Sequence, residues 1–141
     1  MGRVVTVAIA LGSNLGNREQ HLNQAVQELR AILTDVRVSS FINTAPVEVH
    51  EPQPDYLNAV VVGRTTMGAR ELLNVLLAIE EFHARERRTP KAARTLDLDL
   101  ILYGDDVIDE PGLQVPHPRF REREFVVGPL REIAPEMIGE S

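Results

Sequence analysis

The chain has 141 residues, of which 43% are hydrophobic and 26% charged, and its formal net charge is −6 at pH 7. The absence of cysteine excludes a disulfide framework and thiolate-ligated zinc or iron–sulfur sites, and the acidic balance argues against a general nucleic-acid binder. We therefore expect one cytoplasmic domain over residues 1–141, and we expect a monomer because no long apolar interface stripe is evident. No membrane partner is expected, because no apolar run approaches the roughly 20 residues that span a bilayer.

The N-terminal segments predict a strand, a turn and a helix. Residues 4–11 are a continuous β-prone run, typical of a buried strand. The turn at 12–17 lacks the Gly-Lys-Ser/Thr ending of a Walker phosphate-binding loop, so we interpret it as structural rather than as a direct ligand contact. Asn17 is the expected N-cap of a helix over 18–33, where apolar residues recur at helical spacing.

The next segments predict two strands around a loop. Residues 36–45 form the second predicted strand, and the three prolines of 46–54 indicate a loop. Residues 56–62 form the third strand, in which Tyr56 and Asn58 share one face. An asparagine inside a strand is most often a satisfied structural group, so its sequence position alone does not decide between a structural and a ligand-binding role.

A second helix and a basic loop follow. The helix is predicted over 68–84, with Thr66 as its cap, and the loop over 85–93. Together with Arg94, this loop supplies four arginines and one lysine in an acidic protein. A solvated surface loop is the alternative, but anion binding is the interpretation we favour because these cations precede a pair of carboxylates.

That pair lies in the stretch 94–103, which predicts a strand. Its leucines at 96, 98 and 100 share one face, and Asp97 and Asp99 share the other. Two residues of rise separate the carboxylates by roughly 7 Å. The two aspartates can belong to the solvent-exposed face of an ordinary amphipathic strand. The neighbouring basic run nevertheless favours a site that binds Mg²⁺ with a polyphosphate.

The C-terminal part predicts shorter elements. Residues 107–108 are read as a hairpin partner of the Asp97–Asp99 strand, and 113–116 as a further extended piece. Residues 117–123 carry one imidazole and three guanidinium groups and indicate a second anion-binding cluster. A helix is predicted over 125–133, and a frayed end over 135–141.

The predicted element order is β-α-β-β-α-β with extra extended pieces and a final helix. Two βαβ-like halves around one sheet give an α+β fold: a ferredoxin-like single domain whose antiparallel sheet has helices packed on it.

Five segments, taken together, resemble a known enzyme family. They are Ala-Leu-Gly-Ser-Asn-Leu-Gly-Asn at 10–17, Ser39-Ser40-Phe41 with Thr44 and Pro46, Pro-Asp-Tyr-Leu-Asn-Ala at 54–59, Arg-Thr-Leu-Asp-Leu-Asp at 94–99 and Val-Pro-His-Pro at 115–118. The resemblance is to the 6-hydroxymethyl-7,8-dihydropterin pyrophosphokinases of folate biosynthesis, and it covers residues 5–135. It implies a Mg²⁺-dependent transferase that moves diphosphate from ATP to the pterin and releases AMP.

The resemblance also implies roles for individual residues. It assigns two Mg²⁺ ions to Asp97 and Asp99, and catalytic roles to these aspartates with Arg85 and Arg94. The positions that match ATP-binding residues are Arg85, Arg87, Arg94, Leu100, His117 and Arg123. Those that match the pterin pocket are Thr44, Val47, Tyr56, Asn58 and Phe125, with Asn58 bonding the ring edge and Phe125 stacking on the ring. Because no side chain is an obvious strong base, metal activation of the acceptor hydroxyl is the preferred hypothesis.

The chain departs from the family pattern before the aspartates. Lys91-Ala92-Ala93 stands where the family usually has an aromatic residue and Gly-Pro, and Leu77 replaces a polar residue that helps to hold ATP. We expect weaker substrate affinity rather than lost activity. Two alternatives stay open at this point: another Mg²⁺-dependent nucleotidyl or phosphoryl transferase, and a homologue that only binds ATP or a pterin.

Overall fold

The structure is a computed structural model that describes residues 3–14, 16–45, 55–87 and 96–139, without the side chains of 85–87. Its main feature is a five-stranded sheet in which β2, β4, β1 and β5 follow one another and β3 also pairs with β4. The strands are β1 (Val5–Ser13), β2 (Thr34–Val38), β3 (Ile42–Thr44), β4 (Tyr56–Thr65) and β5 (Asp97–Tyr103). All the pairings described for this sheet are antiparallel.

Helices cover both faces of the sheet. The helices are α1 (Arg18–Arg30), α2 (Ala69–Arg87) and α3 (Glu124–Ile133). Side chains of α1 and α2 pack with one set of strand residues, which includes Val7, Ile9 and Val61. Side chains of α3 pack with the alternate set, which includes Ala8 and Val60. This arrangement confirms the predicted α+β, ferredoxin-like fold. No helix in the described part is long and apolar enough to cross a bilayer.

A β-bulge in the apolar end of β5 changes which face of the sheet its side chains occupy. Ala8 pairs with Leu102, whereas the next residue, Ile9, pairs with Leu100, so Ile101 is the extra residue. Leu100 consequently packs with α1 and α2, and Ile101 and Leu102 pack with α3. The bulge explains why the neighbours Ile101 and Leu102 pack on the same face of the sheet, because a regular strand would place them on opposite faces.

The predicted second strand, 36–45, is two strands, β2 and β3. The break between them begins at Ser39, whose hydroxyl accepts a hydrogen bond from the Val60 N–H at 2.8 Å. The Ser39 N–H in turn donates to the Val60 carbonyl at 3.0 Å. Because a side-chain oxygen takes the place of a backbone carbonyl, the ladder is interrupted here and resumes at Ile42.

The prediction that residues 107–108 pair with the Asp97–Asp99 strand is wrong. Strand β6 (Ile108–Glu110) instead pairs with β7 (Leu113–Val115) in a separate two-stranded sheet. The tight turn between them places Gly112 at φ 75°, a conformation that favours glycine. This local hairpin pairs the two segments with each other, so neither adds a strand to the main sheet.

The helix ends also differ from the predictions. Asn17 is confirmed as the N-cap of α1, because its side chain accepts a hydrogen bond from the Gln20 N–H at 3.0 Å. Helix α1 ends at Arg30 rather than at 33, and α2 begins at Ala69, which places Thr66 too early to cap it. Helix α2 continues to Arg87, so the predicted basic loop begins later than 85.

The end of the chain is not frayed as far as it is described. A 3-10 helix, Pro135–Ile138, follows α3. Its Ile138 is buried in the apolar cluster under α3, which holds this segment against the sheet.

Candidate active site

The candidate site is built on three neighbouring strands. Gly12 of β1 lies opposite Asn58 of β4 on one side and opposite Asp97 of β5 on the other. Two residues away on β1, Ala10 lies opposite Asp99. Residues two apart share a face, so the two carboxylates and the amide project from the same side of the sheet. Burial confirms the predicted alternation, because Leu96, Leu98 and Leu100 are buried, whereas Asp97 is half-buried and Asp99 exposed.

These side chains line one cavity of about 760 Å³ between the sheet and the start of α3. It gathers seven of the residues proposed from the sequence: Thr44, Tyr56, Asn58, Asp97, Asp99, Arg123 and Phe125. Gly12 and Ala10 form part of its floor. Small residues at these two positions leave open space between the carboxylates and the amide.

The carboxylate end suits a metal ion that is shared with a substrate. Asp97 is half-buried and Asp99 exposed, and both line the cavity. In the described part of the chain, no group of three or more His, Cys, Asp or Glu residues forms a self-sufficient metal site. Two carboxylates nevertheless fit Mg²⁺, which usually takes one or two protein carboxylates and completes its octahedral shell with water and substrate phosphates.

The other end of the cavity is polar and partly aromatic. Asn58 is buried, and its amide nitrogen donates to the Thr44 hydroxyl at 2.7 Å. Its Oδ1 lies over the backbone of Gly12, 3.3 Å from the point that a Cβ at position 12 would occupy. The half-buried rings of Tyr56 and Phe125 line the same end. An oriented amide beside two rings suits a flat heterocycle with hydrogen-bonding edges.

Charged residues before and at the start of α3 form another wall. Arg119, Glu122, Arg123 and Glu124 line the cavity, and Arg119 Nε lies 3.6 Å from a Glu122 carboxylate oxygen. The Arg123 guanidinium lies 6.0 Å from the centre of the Phe125 ring. The sequence pattern predicts an anion-binding cluster in this segment but does not single out Arg119 or the two glutamates. The basic composition was the available signal; which side chains face the cavity depends on the turn before α3.

His117 lies close enough to this wall to sense its charges. Burial lowers the pKa of the imidazole below its usual 6.5, Arg123 lowers the pKa further, and Asp99 opposes both effects. The backbone N–H of His117 donates to the Ile101 carbonyl at 2.9 Å, which ties the residue to β5. The imidazole therefore lies in the electrostatic field of both Asp99 and Arg123, two residues that line the cavity.

The remaining predicted residues are placed differently or fall outside the description. The Leu100 side chain is buried against α1 and α2, on the face opposite the aspartates, because it is one residue out of phase with them. A side-chain contact between Leu100 and a ligand in the cavity is therefore excluded by the register. Arg94 and Val47 lie outside the described residues, as do the side chains of Arg85 and Arg87.

Comparison with known proteins identifies the fold and the family. A crystal structure of Plasmodium falciparum HPPK-DHPS with pteroate superimposes with a TM-score of 0.68 at 11% identity, covering 96% of this chain and 40% of that one. The 2-amino-4-hydroxy-6-hydroxymethyldihydropteridine pyrophosphokinase of Bacillus subtilis is 42% identical over 135 residues, covering 94% of this chain and 80% of its own length. The enzyme of the same name from Synechocystis is 40% identical over 132 residues, covering 92% of this chain and 67% of its own. The family model for 7,8-dihydro-6-hydroxymethylpterin-pyrophosphokinase matches residues 8–135, and the chain belongs to this family.

Proposed function

We propose that the cavity between Asp97, Asp99 and Asn58 is the active site of a pyrophosphokinase. As a member of its family, the chain transfers diphosphate from ATP to 6-hydroxymethyl-7,8-dihydropterin, a step of folate biosynthesis that yields the pterin diphosphate and AMP. One observation carries the assignment of the site: a pair of carboxylates and an oriented amide beside two aromatic rings line a single cavity. Such a cavity can bring a metal–polyphosphate and a flat acceptor together.

The carboxylate end is the proposed phosphate-transfer end. Asp97 and Asp99 would hold two Mg²⁺ ions together with the ATP phosphates. Bound there, Mg²⁺ would neutralise phosphate charge and lower the pKa of the acceptor hydroxyl. The two carboxylates would determine where the Mg²⁺ ions lie, because both carboxylates project from one strand into the cavity.

The opposite end is the proposed pterin pocket. Asn58 would bond the polar edge of the pterin, and its own orientation is supported by the hydrogen bond to Thr44. Phe125 would stack on the ring, and Tyr56 would close the side of the pocket. Val47 is proposed as a further wall. The pterin ring would be shielded from water by the aromatic side chains, and its polar edge would find a hydrogen-bonding partner in Asn58. A non-aromatic alcohol could make neither interaction, so this pocket favours a pterin.

Cations are proposed to take up the remaining phosphate charge. The proposed set is Arg85, Arg87, Arg94, His117 and Arg123, with Arg85 and Arg94 acting on the transferred group during catalysis. Guanidinium groups suit this task because they donate two parallel hydrogen bonds to phosphate oxygens. Arg119 is added to this set because it lines the same cavity.

Leu100 is proposed to bind the nucleotide through its backbone rather than its side chain. The Leu98 N–H points away from β1, toward α2, where it meets Glu80. Backbone groups two residues apart in a strand face the same edge, so the N–H of Leu100 also faces the outer edge of β5. That edge offers hydrogen-bonding groups to a nucleotide base.

The wider organisation is proposed from composition and fold. Residues 1–141 would form one pyrophosphokinase domain that works as a monomer in the cytoplasm without binding nucleic acid. The absence of cysteine supports the cytoplasmic location, and the net charge of −6 supports the absence of nucleic-acid binding. Leu77, a position proposed to weaken ATP affinity, is exposed on α2 and offers no hydrogen-bonding group there.

The decisive experiment is a chromatographic assay of the nucleotide product. The protein is incubated with ATP, Mg²⁺ and 6-hydroxymethyl-7,8-dihydropterin, and AMP and ADP are separated and quantified. AMP formed only when the pterin is present is the expected result. ADP would indicate a simple kinase, and binding without any nucleotide product would indicate a homologue that has lost catalysis.

A further inference from the structure

We propose that Glu80 of α2 is a positioning residue for the reaction: its carboxylate holds the backbone of Leu98 and thereby sets the directions in which Asp97 and Asp99 leave β5. The inference rests on the metal-binding role proposed above for these aspartates. As a positioning residue, Glu80 is assigned no direct contact with the substrates or with metal ions. It acts through the backbone of the strand that carries them.

The observation behind this proposal is one short hydrogen bond. The Leu98 N–H donates to Glu80 Oε2 at 2.7 Å. Leu98 is the residue between the two aspartates, and its side chain is buried. A hydrogen bond to an ionised acceptor is shorter and stronger than one between neutral groups, so this contact is suited to fixing geometry.

The position of β5 in the sheet explains why such a contact matters. Among the described strands of the main sheet, β5 lies at the edge and pairs with β1 alone. One row of its backbone groups therefore has no neighbouring strand in the sheet to bind. Glu80 accepts a hydrogen bond from this row at Leu98, the residue between the two aspartates. Helix α2 thus supplies a hydrogen-bond acceptor that a sixth strand would otherwise supply.

Fixing the Leu98 nitrogen has a direct consequence for both carboxylates. The peptide unit that joins Asp97 to Leu98 is planar, so the hydrogen bond fixes the orientation of that whole unit. The twist of the strand between Asp97 and Asp99 then has little freedom. The separation and relative direction of the two side chains follow from this twist, and a pair of ions shared with a polyphosphate requires both to be constant.

The same contact also satisfies a buried N–H, which any structural hydrogen bond would do. A purely structural role predicts lower thermal stability but unaltered metal binding in a folded variant. A positioning role predicts weaker metal binding even where the protein remains folded. Glutamine retains a carbonyl oxygen that can accept from Leu98, whereas alanine has no acceptor, and this pair of substitutions separates the two roles.

The test compares Glu80→Ala and Glu80→Gln with the unaltered chain. Mn²⁺ binding is measured by electron spin resonance in the presence of a non-hydrolysable ATP analogue, and kcat is measured by the AMP assay. For Glu80→Ala we expect Mn²⁺ affinity and kcat to fall by about ten- to a hundredfold, as is usual when a group that orients metal ligands is removed. Glu80→Gln should stay within about threefold of the unaltered chain, because its acceptor is retained.

A spectroscopic signature checks the hydrogen bond itself. The Leu98 amide proton, followed in ¹⁵N-labelled protein, should resonate far downfield in the unaltered chain and in Glu80→Gln, and should move upfield in Glu80→Ala. Glu71→Ala and Glu71→Gln are the matched controls, since Glu71 is an exposed acid on the same helix. These controls should leave Mn²⁺ affinity, kcat and the Leu98 resonance unchanged.

The results for Glu80 and for the unaltered chain test the positioning role and the proposed function separately. A folded Glu80→Ala protein that binds Mn²⁺ as the Glu71 controls do would overturn the proposal, and so would a Glu80→Gln protein as impaired as Glu80→Ala. Failure of the unaltered chain to make AMP would instead contradict the proposed function. The Mn²⁺ and Leu98 measurements do not depend on turnover, so the two failures are distinguishable.

Discussion

Asp97 and Asn58 lie in one row of the sheet, on the two sides of Gly12. The carboxylate and the amide thus belong to different strands but face the same cavity across a residue without a side chain. A Cβ at position 12 would approach Asn58 Oδ1 to 3.3 Å and Tyr56 Cδ1 to 3.6 Å. Glycine at this position therefore keeps open the space beside the Asn58 amide and the Tyr56 ring.

Gly12→Ala should impair the pterin end of the site and spare the nucleotide end. The added methyl group pushes against the Asn58 amide, and crowding of this kind typically costs about 1–3 kcal/mol. We expect the KM for the pterin to rise several-fold and the KM for ATP to stay within about twofold, measured by the AMP assay. Gly68→Ala is the control, since nothing lies within 4 Å of a Cβ there. Equal changes in both KM values would contradict this account.

Asp97→Ala should nearly abolish turnover. It removes one of the two carboxylates proposed to bind Mg²⁺, while leaving the pterin pocket at the other end of the cavity intact. Fluorescence titration with the pterin in the absence of metal should therefore change little. Asp105→Ala removes an equal charge from an exposed position just beyond β5 and should retain activity. Retained turnover in Asp97→Ala would remove the metal assignment.

Asn58→Ala should weaken pterin binding by about 1–3 kcal/mol, because it leaves the polar ring edge without its partner. This corresponds to a rise in Kd of about 5- to 150-fold. The measurement is a titration of pterin fluorescence at fixed protein concentration. The matched control is Asn74→Ala, an exposed asparagine on α2. An unchanged pterin affinity in Asn58→Ala, with the protein folded, would exclude the proposed role.

The imidazole of His117 should titrate below 6.5 in the protein without ligands, since burial is the main cause of its lowered pKa. Asp99→Asn should lower this pKa further, because it removes the charge that raises it, and Arg123→Ala should raise it. Two-dimensional NMR of the imidazole signals over a pH series measures all three values. Shifts of the opposite sign would mean that His117 lies elsewhere relative to the two charges.

The lowered pKa of His117 also makes the stability of the protein depend on pH. The unfolded chain binds the His117 proton more readily than the folded chain does, so this residue lowers stability as pH falls from 6.5 through the folded pKa. Its contribution to stability is unaffected by pH above that range. His117→Gln should therefore lessen the loss of stability on acidification, measured by urea unfolding at pH 7 and pH 5.

Much of the site was readable from the sequence because its information is local. The Leu-Asp-Leu-Asp alternation places both carboxylates on one face of a strand whatever the strand pairs with. The same argument placed Tyr56 and Asn58 together on β4. The order of strands and helices was sufficient for the α+β, ferredoxin-like fold, and the five motif segments were sufficient for the family.

Other features required the tertiary structure. The bulge at Ile101 and the approach of Glu80 to Leu98 join residues that are distant in the chain or out of phase, and β6 pairs with the neighbouring β7 although it could equally have paired with β5. Their formation depends on which neighbour satisfies a backbone group, and residue patterns do not encode that choice. The sequence by itself determined the family, the face that carries the carboxylates and the composition of the site. Only the tertiary structure decided that Asn58 and Asp97 lie on the two sides of Gly12, because the register of three strands sets which residues are neighbours across the sheet.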